Sequence, residues 1–352
     1  MARTVAGIDI GNGSIRAAEV AEPGKRKGRP VLTHYAEVLL PEGAVVGGEV
    51  REPNTVAAAV RSLWSTGGFT TRDVVLGIGG ERVLARDFSV RRAPLAQIRD
   101  SLQFEARDIL PMAVSDAVLD FYPTGEGTGE QGPTVTGLLI AAPKEAVLGN
   151  VRAVQGAGLR ATDVDLIPFA LTRALVTRAG VAGAVAVVDI GAETTTTVVV
   201  RDGLVQFVRV VPTGGHRITS ELVKELDADQ ATAESLKREL GLRAADAETA
   251  DGRQAVQVIS AVVREQLTSI RNTIAYAQNT RPDHPVSRVL LTGGGAQLRG
   301  LATALGELTR LPVEHVDPLA GVKLGRRLEH SGLAGDPRHM AVAVGLALGS
   351  AA

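Results

Sequence analysis

Two stretches of the chain, one near its start and one halfway along it, carry the same pattern. Val5-Ala6-Gly7-Ile8-Asp9-Ile10-Gly11-Asn12-Gly13 is echoed by Val185-Ala186-Val187-Val188-Asp189-Ile190-Gly191-Ala192-Glu193. Each copy is an apolar run that closes in Asp-Ile-Gly and passes into a second β-rich run. Self-similarity over so long a period constrains the whole architecture. It predicts two related lobes, each offering an aspartate and a glycine turn at the end of a strand. Two such turns facing one cleft can grip the phosphates of a nucleotide and its magnesium ion.

The flanking pattern extends the repeat. Val5–Ile10, Ser14–Val20 and Val31–Leu40 read as strands. Pro53 to Ser65 reads as a helix with Val56, Val60, Leu63 and Trp64 on one face, and Val74–Ile78 as a buried strand. In the second half Val185–Ile190, Thr194–Arg201 and Leu204–Val211 are strands, with Asp202-Gly203 as a hairpin turn. A helix follows from Gly215 to Leu226, then a later strand at Arg288–Leu291. Two stretches interrupt this order. Residues 83–160 read as an α+β insert: a helix at Leu95–Ile109, a strand near Val118–Tyr122, a Gly-rich loop at Gly125–Gly132, a strand at Thr136–Ala142 and a helix near Lys144–Gln155. Residues 228–285 read as mostly helical, ending in a long helix from Ala255 to Gln278 and the linker Asn279–Pro285. The division implied is 1–82 with 161–182 for the first lobe core, 83–160 for the insert, 183–227 with 286–352 for the second lobe core, and 228–285 for a helical subdomain.

Composition narrows the function classes. A chain of 352 residues holds two or more domains, and a formal net charge of −1 gives no general attraction for nucleic acid. The absence of cysteine excludes disulfides, thiolate metal sites and a cysteine nucleophile. The apolar start is short and broken by Asp9, so it does not read as a signal peptide. No run reaches the roughly 18 apolar residues of a membrane span, and Met340–Leu348 reads as a buried helix. The expectation is a soluble, cytoplasmic chain. Glu22–Arg29 reads as a solvated hairpin connection with a basic cluster.

The turns carry the chemistry. Asp9 stands where a strand ends, and a carboxylate there can hold Mg²⁺ through its waters. Gly11, Asn12 and Gly13 let backbone N–H groups approach phosphate oxygens. Asp189 with Gly191, Ala192, Glu193, Thr194 and Thr195 can do the same from the other side, the two threonine hydroxyls adding donors. Gly293, Gly294 and Gly295 leave a strand and enter a helix expected at Ala296–Leu308, a junction that permits flat backbone against a ligand with helix N–H groups behind it.

Together these segments resemble the phosphate-1, phosphate-2 and adenosine motifs of the actin-like ATPase superfamily. Leu40–Val50, Phe104–Pro111, Val118–Phe121, Ala157-Gly158-Leu159 and Asp165–Leu171 narrow the resemblance to PilM-type pilus assembly proteins. The resemblance implies an α/β, two-lobed actin-like ATPase (duplicated ribonuclease-H-like) fold, with an FtsA-type 1C insert and a small helical-rich 2B subdomain. It implies ATP and Mg²⁺ as cofactors, Asp9 and Asp189 serving the metal. Its implied partner is the N-terminal cytoplasmic peptide of a PilN-like bitopic membrane protein, which would recruit the chain to the inner face of the plasma membrane; self-association stays open. By the same analogy Glu234, Lys237 and Arg238 lie where ribose and adenine contacts occur, although a solvated helix face reads equally well.

Ile167 stands where relatives with good hydrolysis carry Glu or Gln to orient water, and Thr196 where many carry Asp. The expectation is a slow ATPase at most. Two rivals on the same fold remain: a sugar or metabolite kinase using Asp163 or Asp165 as base, and an FtsA-like or MreB-like filament former. There is no Walker-type loop and no nucleophile elbow. The six histidines show no metal-ligand spacing, and His216 reads as a surface or capping residue.

Overall fold

The computed structural model describes residues 3–22, 28–129, 132–243, 245, 247, 249–280, 284–331 and 337–349. The first unit is an antiparallel meander of β1 (Arg3–Ile10), β2 (Ser14–Glu22) and β3 (Val31–Leu39). A short ladder of β4 (Val45–Val46) and β5 (Glu49–Val50) precedes α1 (Pro53–Gly67), and β6 (Asp73–Ile78) returns parallel to β1. Helix α1 forms because Pro53 suits its first turn and Val56, Val60 and Leu63 fall on one buried stripe. It ends at Gly68, whose φ of 70° suits glycine and whose N–H donates to the Trp64 carbonyl at 3.2 Å. Truncating Leu63, which is fully buried, would cost roughly 2–5 kcal/mol.

The insert follows: β7 (Leu84–Arg91), α2 (Leu95–Glu105), β8 (Ala117–Gly129), β9 (Gly132–Pro143) and α3 (Lys144–Gly156). Its sheet runs β7-β9-β8. Of the stretch expected as a Gly-rich loop, Gly125–Gly129 and Gly132 are paired strand residues instead, and 130–131 lie outside the described residues. Gly125 and Gly127 lie across from Thr136 and Thr134, and a Cβ on either would press on that threonine's hydroxyl, at 3.2 and 3.0 Å. The glycines make room for cross-strand partners and do not break the strand. The next strand, β10 (Arg160–Leu166), rejoins the first sheet beside β6.

Helix α4 (Ile167–Thr172) passes into a π turn at Arg173–Thr177 and delivers the chain to the second unit. There β11 (Ala184–Ile190), β12 (Thr195–Arg201) and β13 (Leu204–Val211) repeat the first meander. Then come α5 (Gly215–Leu226), α6 (Gln230–Leu240), α7 (Ala250–Thr280), β14 (Val289–Thr292), α8 (Leu301–Thr309) and β15 (Val313–His315). The second sheet has the order β13-β12-β11-β14-β15. The helix expected from Ala296 is a 3₁₀ turn at Gly295–Gln297, and α8 begins only at Leu301, after Gly300 adopts φ 83°.

The chain ends on the first unit. Strand β16 (Lys323–Leu324) pairs with β3, which completes the order β10-β6-β1-β2-β3-β16. After α9 (Arg326–Ser331), α10 (Ala341–Ala347) packs on β1 and β2 with every residue buried. The sequence reading placed all of 286–352 in the second lobe; the pairing of β16 and the packing of α10 correct this. Between the sheets lies an apolar layer in which Val5 and Val75 of the first sheet, Ala170, Leu171 and Leu175 of the α4 segment, Leu346 of α10, and Val185, Val187 and Val198 of the second sheet form one cluster. A Cβ on Gly345 would overlap the Ala170 carbonyl, and one on Gly7 would overlap the Ala343 carbonyl. Glycine is therefore required where α10 crosses α4 and β1. These crossings join the lobes.

Candidate functional site

The two repeated turns have the same geometry. Gly11 N–H donates to the Ser14 carbonyl at 3.0 Å, and Gly191 N–H donates to the Thr194 carbonyl at 2.9 Å. Each turn leaves its aspartate at the end of the first strand of its lobe, and the Asp9 charge acts on Asp189. Burial first, and then the negative charge of Asp9, push the Asp189 carboxyl up to about 7, with Arg16 opposing. Burial also raises Asp9, against Arg16 and with Glu37 adding to the rise.

Arg16 is the residue the sequence reading missed. The antiparallel register puts Arg16 across from Asp9, just as it puts Thr196 across from Asp189. Its Nη1 lies 3.7 Å from Asp9 Oδ2, and its Nη2 is 2.9 Å from Glu37 Oε1. Its Nε is buried with no hydrogen-bond partner. A buried guanidinium N–H without an acceptor costs free energy unless something pairs with it. The available signal was register: a cation seven positions after an aspartate, across a tight hairpin, faces that aspartate.

The glycine loops close over the second turn. Gly293 has φ 89°, and a Cβ there would overlap Asp189 Oδ1 and the Ile190 carbonyl. A Cβ on Gly295 would overlap Ile190 Cγ2, and one on Gly294 would lie 3.4 Å from His339 Nε2. Gly214 and Gly215, which the sequence reading did not single out, complete the wall. Gly215 N–H donates to the Gly191 carbonyl at 2.9 Å and His216 N–H to the Ala192 carbonyl at 2.8 Å, so His216 serves through its backbone at a helix start. Asn12 ties the first turn to its own lobe by accepting from Gly48 N–H at 3.1 Å. Gly13 and Ala192 are exposed at the turn tips, while Glu193 and Thr194 are half-buried beside them.

Other expected contacts divide. Lys237 Nζ donates to the Gly215 carbonyl at 3.2 Å and to Thr219 Oγ1 at 2.9 Å, and pairs with Glu234 Oε2 at 2.6 Å. Burial opposes the Glu234 charge, but hydrogen bonds from Lys237, Arg238 and Thr219 outweigh it and hold the carboxyl below its usual range. Arg238 is 77% exposed and reaches Glu234 at 2.8 Å from the solvent side. Thr195 does not supply a free donor: its hydroxyl donates to the Thr213 carbonyl at 2.6 Å and accepts from Gln266 Nε2 at 2.9 Å, because β12 turns it toward α7.

Ile167 packs where β6 ends. A Cβ on Gly79 would lie 2.7 Å from Ile167 Cδ1. Asp165 is spent on Arg173, 2.7 Å away, whose other nitrogen donates to the Gly345 carbonyl at 2.5 Å. Asp163, at a register shift in β10, accepts from Val164 N–H at 2.8 Å. Neither aspartate stands as a free base.

Asp9 and Asp189 supply two carboxylates, and among the described residues no group of three or more acidic, His or Cys side chains is set for a metal. That suits a hard ion that keeps most of its waters and takes further oxygens from phosphates. The orphaned Arg16 Nε and the glycine-lined backbone fit the phosphates themselves.

The family model for the type IV pilus assembly protein PilM matches residues 7–351. The chain belongs to the PilM family. The solved PilM-PilN type IV pilus biogenesis complex is similar at a TM-score of 0.83 and 29% identity, covering 98% of this chain and 97% of that one. MreB5 of Spiroplasma citri bound to ADP shares the fold at a TM-score of 0.54 and 12% identity, over 97% and 94% of the two chains. The cell division protein FtsA of Bacillus subtilis is 35% identical over 107 residues, 30% of this chain; the chain thus spans about a quarter of that relative, 24%. The fold is the actin-like ATPase fold, and the turns after Asp9 and Asp189 stand at matching places in its two meanders. Among the described residues no helix is long and apolar enough to cross a membrane.

Proposed function

We propose that the chain is an ATP- and magnesium-binding adaptor of a type IV pilus machine, docking the N-terminal cytoplasmic tail of a PilN-like inner-membrane protein under control of its nucleotide state. The observation that carries the nucleotide half is the facing of Asp9 and Asp189 beside an Arg16 donor without a partner. The partner half is supported by the likeness to the PilM-PilN complex. Docking to such a tail would hold the chain at the inner face of the plasma membrane.

The charges explain why the metal is needed. Asp9, Asp189 and Glu37 outnumber Arg16, so a bare triphosphate meets net repulsion at close range. Magnesium, when bound, supplies the positive charge that lets the phosphates enter. Asp9 and Asp189 would hold its waters, Arg16 would turn its Nε toward a phosphate oxygen, and the Gly11–Gly13, Gly191–Thr194 and Gly214–Gly215 backbones would line the phosphates. Gly293–Gly295 and Lys237, with Glu234, would border the nucleoside. Gripped from both lobes, the crevice closes about the α4 and α10 crossing. A ligand biases such an equilibrium only by its differential affinity for the closed state. Micromolar binding is about −8 kcal/mol, so a fraction of it suffices. Ile167 cannot polarise water, and lacking a positioned base costs about 10²–10⁴ in rate; turnover is slow, as a switch requires.

The test is calorimetry. Wild type should bind Mg-ATP, Asp9→Ala should not while retaining its fold by circular dichroism, and a synthetic tail peptide of the PilN-like partner should bind with an affinity that changes when Mg-ATP is added. Unchanged Mg-ATP affinity in Asp9→Ala contradicts the clamp, and peptide binding indifferent to nucleotide contradicts the switch.

A further inference from the structure

The repeat that builds the two lobes breaks at one row of side chains. In the first meander the register sets Asp9 across from Arg16, and Arg16 across from Glu37. In the second meander the matching row is Asp189, Thr196 and Val210. Directly opposed residues share a face of a sheet. The first row therefore puts a cation between two carboxylates, while the second holds a single acid. The phosphate-binding turns give no reason for Glu37.

Distances show what Glu37 does to its neighbour. Arg16 Nη2 lies 2.9 Å from Glu37 Oε1, whereas Nη1 lies 3.7 Å from Asp9 Oδ2. The second distance is beyond hydrogen-bond reach. A guanidinium left with one carboxylate favours a bidentate pair with both of its oxygens. Here the guanidinium is shared, and Glu37 has the closer hold. The Arg16 and Glu37 side chains are 24% and 29% exposed. A pair so open to water contributes little to folding, so its use lies elsewhere.

Loss of the Glu37 charge would act in two directions. Arg16 would be free to close on Asp9 and take the oxygens that serve a magnesium ion's waters. The row, now carrying one net negative charge, would become neutral, and a metal-free triphosphate would meet less repulsion. The first change disfavours the magnesium-bound nucleotide, and the second favours the bare one.

We infer that Glu37 is a positioning residue of the crevice: it holds Arg16 off Asp9, and so makes the crevice select magnesium-bound ATP over metal-free ATP. This rests on the nucleotide reading above and adds to it a residue that sets which form of the nucleotide enters. Glu37 touches Arg16 and acts through it, whereas Asp9 serves the metal itself.

Calorimetry on the full chain tests it, with ATP in excess magnesium and ATP in EDTA, for wild type, Asp9→Ala, Glu37→Gln and Glu37→Asp. In Glu37→Gln, Mg-ATP should weaken about threefold and metal-free ATP should tighten about threefold, so that the preference for the magnesium form falls about tenfold. Glu37→Asp keeps the charge and should keep most of the preference. Both Glu37 variants should melt close to wild type. A Glu37→Gln protein whose two affinities are unchanged, or fall by the same factor, overturns the inference, because a merely structural ion pair gives that result. So does a Glu37→Asp protein that loses the preference as fully as Glu37→Gln. These outcomes leave the nucleotide reading standing if Asp9→Ala still abolishes Mg-ATP binding. Wild type that binds no Mg-ATP, or Asp9→Ala that binds it as wild type does, overturns that reading and this inference together.

Discussion

Proton linkage at Asp189 gives a quantitative test of the crevice. In the free protein its carboxyl titrates at about 7, pushed there by burial and by the neighbouring Asp9 charge. A magnesium ion beside it requires the ionised form, so only the deprotonated fraction binds without cost. The apparent Kd for preformed Mg-ATP then scales as one plus ten to the power of pKa minus pH. That factor is about 1.1 at pH 8 and about 11 at pH 6, a tenfold weakening that corresponds to about 1.4 kcal/mol. Asp9, also raised, acts in the same direction. Calorimetry at pH 6, 7 and 8 reads the affinity, and buffers of different ionisation enthalpy read the proton count. About half a proton should leave per Mg-ATP bound at pH 7. A Kd flat across this range with no proton released would refute the facing of the two carboxylates.

The remaining predictions concern stability. Since the folded-state pKa of Asp189 lies above its ordinary value, the stability it contributes is present near pH 4 and is lost as pH rises toward 7. Asp189→Asn should therefore raise the melting temperature of the nucleotide-free protein at pH 8, leave it unchanged near pH 4, and abolish Mg-ATP binding. Glu19 is buried and accepts from the N–H groups of Thr70 and Thr71 and from the Thr33 and Thr70 hydroxyls; these bonds outweigh burial and lower its pKa. Glu19→Gln should cost roughly 1–3 kcal/mol in urea unfolding at pH 7, with the gap to wild type closing as pH falls below the carboxyl's depressed titration. Gly345→Ala should lower stability by about 1–3 kcal/mol or block folding, because its methyl would overlap the Ala170 carbonyl; a melting temperature equal to wild type would show that α10 and α4 do not cross so closely.

The parts of the site legible in the sequence were those written in local pattern. Asp9 and Asp189 showed because each ends an apolar strand before a glycine turn, and the repeat doubled the signal. Gly293–Gly295 showed as a run, but the helix expected behind it begins only at Leu301, since Gly300 takes a left-handed conformation that sequence leaves unmarked. Arg16 and Gly214–Gly215 stayed hidden because their roles depend on register and on a third strand returning to the crevice. Thr195 was misplaced for a related reason: alternation along β12 decides its face, and the strand begins one residue later than expected. The return of β16 and α10 to the first sheet is a long-range pairing that no local periodicity encodes. Glycine at positions 7 and 345 marks it only once the partners are known.

Hydrogen–deuterium exchange with and without Mg-ATP tests the central claim most directly. The account predicts slowed exchange together at Gly11–Gly13, Gly191–Thr194, Thr213–His216 and Gly293–Gly295, lost in Asp9→Ala. Protection confined to one lobe, or none at these loops, would contradict a nucleotide held between them.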